Sequence, residues 1–65
     1  MRDRVGDRKK LVVRRDAETR QWHVGFWDTE PDVGRLFRTK GIRDTEQAAD
    51  GLLLALVKAN PNDFF

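Results

Sequence analysis

The chain has 65 residues, with 13 Lys and Arg against 11 Asp and Glu, one His and no Cys. That length supports one small domain near the lower limit for unaided folding. The residue set excludes disulfide staples and leaves no means of building the usual His/Cys zinc site within one chain. The basic residues crowd the front: residues 1–20 hold eight basic and four acidic groups, and residues 46–65 hold one and three. Such a gradient suits a chain whose front end meets a polyanion.

Residues 1–8 alternate charges around one Val and one Gly. They bury nothing and are expected to form a flexible basic arm. Lys9 to Arg15 centres on Leu11-Val12-Val13, an apolar triplet with basic flanks, and predicts the first strand. Asp16 to Arg20 is polar and has the length of a hairpin connection.

Gln21 to Asp28 carries the cleanest alternation. Trp22, Val24 and Phe26 share one face of that second strand and predict its core side. His23, Gly25 and Trp27 share the other. Thr29 to Gly34 reads as a turn, punctuated by Pro31-Asp32 and Gly34. Arg35 to Ile42 predicts the third strand, but Leu36 and Phe37 are adjacent and both apolar, so its parity is ambiguous. The reading adopted points Phe37 inward and Arg38 and Lys40 outward, with a bulge at Gly41 returning Ile42 to the core.

Asp44-Thr45-Glu46-Gln47 has the character of a helix start. Asp44 or Thr45 would cap it, Gln47 would serve as the capping-box partner, and Glu46 would face the helix dipole. The helix is predicted from about Glu46 to Ala59, with Ala48, Ala49, Leu52, Leu53 and Leu56 on one face. Leu54 falls among the polar residues and is expected to be exposed. Asn60-Pro61 ends the helix, leaving residues 61–65 as a C-terminal tail. The expected architecture is α+β: a three-stranded antiparallel sheet packed against one C-terminal helix, β-β-β-α, spanning residues 9–60.

Little in the chain suggests catalysis. There is no Ser, so no Ser-His-Asp triad, and the glycines are scattered rather than gathered into a phosphate loop. Asp28, Glu30 and Asp32 lack the spacing of an oxygen-ligand loop and read as turn solvation. No metal, cofactor or enzyme activity is expected. The longest apolar run, Leu52–Val57, is far short of the roughly 20 residues of a membrane span. The opening Met-Arg-Asp-Arg has no secretory character, so a cytoplasmic protein without membrane contact is expected.

Binding is the remaining reading. Arg14, His23, Trp27, Arg38 and Lys40 are expected on the sheet face away from the helix, a basic surface with an aromatic in it. Arg8, Lys9 and Lys10, with Arg2 and Arg4, would add phosphate contacts from the arm. Double-stranded DNA is the first-choice partner. A protein partner is the alternative, anchored by Trp27, Leu54, Phe64 and Phe65, and a second copy of the chain is a further candidate. Phe64-Phe65 would then be offered to the partner; otherwise they fold back onto a core short of apolar area.

Four short stretches also carry a resemblance: Trp22-His23-Val24, Gly34-Arg35, Lys40-Gly41-Ile42 and Thr45-Glu46-Gln47-Ala48-Ala49, the last a small-residue helix start after a basic third strand. Over residues 9–58 this resembles the arm-type, AP2-like DNA-binding domain at the N-terminus of tyrosine recombinases. The resemblance implies a sheet face set in a DNA major groove, with Arg14, His23, Arg38 and Lys40 as contacts. It also implies a regulator or accessory factor of phage or mobile-element type. The family usually has Phe where Ile42 stands. The run Thr39–Ala48 is also similar to the strand-to-helix junction of HicB-like antitoxins, which implies a protein toxin as partner.

Overall fold

The computed structural model describes residues 8–65. Its elements are β1 (Val12–Arg15), β2 (Trp22–Glu30), β3 (Gly34–Arg43) and α1 (Glu46–Ala59). The three strands form one antiparallel sheet in the order β1-β2-β3. The expected β-β-β-α architecture is thus the observed one. The predicted Arg2 and Arg4 of the arm lie outside the described residues. No described helix is long and apolar enough to cross a membrane.

Local chemistry sets each junction. Between β1 and β2, Asp16 Oδ1 accepts from the Glu18 N–H at 2.9 Å, an Asx-type turn. The hairpin closes through Asp16 N–H to Gln21 O at 2.8 Å, with Arg20 at φ 62°. The second strand runs on to Glu30, two residues past the expected end, and the turn shrinks to Pro31–Val33. Gly34 closes that turn at φ 87°, where a side chain would be strained. At the helix start Thr45 is the cap: its Oγ1 accepts from the Ala48 N–H at 3.1 Å. Asp44 instead accepts from Gln21 Nε2 at 3.3 Å. At the other end the Asn60 N–H and Nδ2 both donate to Leu56 O.

The register assigns the faces, because antiparallel partners share one side of the sheet. Val13 pairs with Val24, and Phe26 with Arg38. Trp22, Val24 and Phe26 therefore share a face as expected, and the helix covers it: a Cβ on Gly41, the partner of Val24, would meet Leu52 Cδ2 at 2.4 Å. Glycine at this position lets α1 lie directly on β3. Leu11, Val24, Ala49 and Phe64 form the buried core. Leu52, Leu53, Leu56 and Val57 are half-buried around them, whereas Ala48, expected on the apolar face, is exposed.

The third strand departs from expectation. Val24 pairs with Gly41 but Gly25 with Thr39, so Lys40 is the extra residue of a bulge. The bulge sits one residue before the expected position, and this single shift inverts the alternation on both sides of it. Leu36, not Phe37, takes the helix side, opposite Asp28. Phe37 pairs with Trp27 and lies on the outer face. Ile42 pairs with His23, also on the outer face, and is exposed rather than returned to the core.

The C-terminal tail belongs to the domain. Lys9 N–H donates to Asp63 O, Phe65 N–H to Lys9 O and Leu11 N–H to Phe65 O, which sets residues 63–65 parallel to the lead-in of β1. Phe64 turns under the sheet, 6.0 Å from the Phe26 ring, and fills the core where the helix ends. This is the fold-back reading of the tail.

Candidate nucleic-acid interface

Outer-face positions on the paired strands are Val12 and Arg14 on β1, His23, Gly25, Trp27 and Thr29 on β2, and Arg35, Phe37, Thr39 and Ile42 on β3. None carries a carboxylate. The acids of β2, Asp28 and Glu30, have the opposite parity and point to the helix side. The paired positions of the outer face are therefore free of acids, and a carboxylate reaches the face from the β1–β2 turn, where Asp16 lies 3.6 Å from His23.

Its centre is an aromatic pair. Trp27 and Phe37 meet edge to face with centroids 5.2 Å apart. Two guanidiniums lie on this pair: Arg35 is 4.3 Å from the Trp27 centroid, and Arg14 is 4.8 Å from Trp27 and 5.1 Å from Phe37. Gly25 makes this possible. Lacking a side chain, it leaves the space between Arg14 and the rings open, and a Cβ there would press on Phe37 Cε2 at 2.9 Å. Trp27 remains 39% exposed, so one ring stays open to solvent between its cationic neighbours.

Toward the β1–β2 turn the face dips into an open cavity of about 430 Å³. Arg14, Arg15, Asp16, Ala17, His23, Phe37 and Thr39 line it. His23 Nδ1 lies 3.1 Å from Thr39 Oγ1, and its Nε2 lies 3.6 Å from Asp16 Oδ2. The Asp16 carboxyl is held below its ordinary value, first by the Glu18 N–H and then by Thr19 and the nearby His23.

Arg38 and Lys40 are absent from this face, which corrects the expected contact set. Arg38 pairs with Phe26 and lies on the helix side beyond the helix, where Asp28 and Glu30 neutralise it. Its Nε donates to Asp28 Oδ2 at 3.1 Å, and its second nitrogen binds Glu30. The Asp28 carboxyl is lowered first by the Thr29 N–H, then by Arg38 and Lys9. The guanidinium is raised, chiefly by the bond to Asp28. The ammonium of Lys40 reaches to 5.9 Å from the buried Phe64 ring, on the Phe26 side. Both residues moved with the one-residue shift of the bulge.

The remaining candidates disperse. Lys9 lies 4.0 Å from Asp28 and 5.9 Å from the Phe26 ring, Arg8 sits over Phe65, and Lys10 is exposed. Of the protein-binding anchors, Phe64 is buried, Phe65 is exposed at the chain's end, Leu54 is exposed on the helix, and Trp27 is on the opposite side of the sheet from the helix. They do not form one patch. Arg35, Phe37, Thr39 and Asp16 were missed by the sequence reading. The signal lay in Asp28 and Glu30, which continue the Trp22-Val24-Phe26 alternation and call for a cation opposite them on the helix side. Comparison of the chain with models of protein families, with curated proteins and with solved structures found no match in any of the three.

Proposed function

We propose that this chain is a non-enzymatic nucleic-acid-binding module whose outer sheet face holds an unpaired strand. The observation that carries the proposal is the juxtaposition on that face: Trp27 and Phe37 on adjacent strands, bracketed by Arg14 and Arg35, with no carboxylate at any paired position. Bases stack on aromatic rings and on guanidinium planes, and arginines neutralise the phosphates between them. Duplex DNA was the expectation while two cations stood in place of Phe37. With a ring pair at the centre, the face favours bases freed from their partners. A folded module of this kind binds and positions a strand.

The test is fluorescence anisotropy with a labelled single strand of about 10 nucleotides and with the matching duplex, over a salt series. The single strand is expected to bind more tightly. Phe37→Ala should weaken it by roughly 5-fold or more, equivalent to at least about 1 kcal/mol per stacked base. Arg14→Gln should flatten the log–log salt slope by about 0.7, the loss of one phosphate contact on a single strand. Arg38→Ala should leave the slope unchanged. Tighter binding of the duplex would return the reading to groove recognition, and equal losses from Arg38→Ala and Arg14→Gln would remove the outer face as the contact surface.

A further inference from the structure

Resting on that reading, we infer that the cavity beside the β1–β2 turn selects an unpaired guanine. Its volume, about 430 Å³, falls in the range of small-ligand sites. Of the lining residues, Phe37 supplies an aromatic wall and Arg14 a cation for the flanking phosphate. Asp16 supplies the acceptor. Its Oδ1 accepts from the Glu18 N–H at 2.9 Å and keeps a second lone pair, and its Oδ2 faces His23 Nε2 at 3.6 Å, too far for a hydrogen bond, so both oxygens retain capacity to accept. The backbone of the same residue closes the hairpin at both of its polar groups, 2.8 Å to Gln21 O and 2.7 Å from Arg20 N. The carboxylate is thereby fixed in place before any ligand arrives.

A fixed carboxylate discriminates among bases by what their pairing edges present. Guanine offers two adjacent donors, the ring N–H and the exocyclic amino group, which a carboxylate accepts together. Adenine and cytosine each place a ring-nitrogen lone pair beside their amino group, which repels the carboxylate. Thymine and uracil flank their one N–H with two carbonyl oxygens. Only guanine matches an acceptor-only partner without such a conflict. A duplex hides this edge in its own pairing, so the selection requires the unpaired strand proposed above.

The experiment compares an oligo-dT of about 10 nucleotides with the same strand carrying one central dG, dA, dC or deoxyinosine. The dG strand is expected to bind about 10-fold more tightly than the others, the discrimination of one two-donor contact. Deoxyinosine, which lacks the amino group, should lose most of that gain. Asp16→Asn keeps an oxygen for the Glu18 N–H and should erase the dG preference, while the loss of a negative charge from the cavity strengthens binding of all the strands alike. In the wild-type chain, 5′-GMP should shift the amide resonances of Asp16, His23 and Thr39 more than 5′-AMP does. Equal affinity for all the strands, or a dG preference that survives Asp16→Asn, overturns the guanine site and leaves the outer face as a general binder. Failure of every strand to bind at low salt overturns both.

Discussion

Replacing Gly25 by alanine tests the pairing on which the outer face depends. A Cβ at this position would lie 2.0 Å from Arg38 O and 2.9 Å from both Arg38 C and Phe37 Cε2. The first two atoms are backbone, so no rotamer change relieves them. Relief requires β2 and β3 to part by about 1 Å from a normal spacing of about 4.8 Å. Hydrogen bonds stretched by about 1 Å cease to be bonds. Two such losses at about 1 kcal/mol each, with about 1–3 kcal/mol of overpacking, put the cost near 3–5 kcal/mol. A domain of this length has roughly 3–10 kcal/mol in all. Urea unfolding followed by far-UV circular dichroism and by the fluorescence of Trp22 and Trp27 should therefore show Gly25→Ala unfolded or its midpoint lowered by about 3–5 M, at a slope of about 1 kcal/mol per molar. Gly51→Ala is the control: nothing lies within 4 Å of its Cβ position, and alanine in a helix interior should gain up to about 1 kcal/mol. A Gly25→Ala stability within about 0.5 kcal/mol of wild type would refute the Gly25–Thr39 pairing and the bulge at Lys40.

Two further outcomes are expected. Phe64→Ala should cost about 3 kcal/mol by opening the core, whereas Phe65→Ala, at a half-exposed ring, should cost under about 1 kcal/mol. Equal thermal shifts for the pair would contradict the fold-back of the tail. Acid should destabilise the fold: Asp16 and Asp28 have folded values below the ordinary carboxylate value of about 3.9, so the unfolded chain takes up their protons first. Their contribution is complete above that value and is lost as pH falls through the folded values. Urea midpoints should be level near neutral pH and fall below about pH 4, less steeply in Asp28→Asn; identical acid limbs would show that the Asp28 contacts contribute nothing.

Much of this was legible in the residues themselves. Alternation of Trp22, Val24 and Phe26 with polar or small neighbours defined both the strand and its buried side, because period-2 patterning has one solution when only one face is covered. Thr45 before Glu46, and Asn60-Pro61 after Ala59, bounded the helix because capping is local chemistry. The third strand failed for a reason of the same kind. With Leu36 and Phe37 adjacent, either parity places one large apolar side chain inward, and the strand's own residues do not locate a bulge. The tie is broken by partners across the sheet: Asp28 and Glu30 want Arg38 beside them, and Leu52 needs Gly41 beneath it. Those are tertiary facts. The cavity was hidden for the same reason, since it joins Asp16 of a turn to Phe37 and Thr39 of a strand far along the chain.

The parallel seam between Lys9–Leu11 and Asp63–Phe65 has a mechanical consequence. Tension drawn outward from residue 9 and from residue 65 runs along both segments in opposite senses, so the hydrogen bonds at 2.8, 3.1 and 3.1 Å are loaded in shear and must yield together. An antiparallel seam pulled from its open end would instead peel one bond at a time. Strung between two anchors, the module would meet force at a lap joint and not at a zipper.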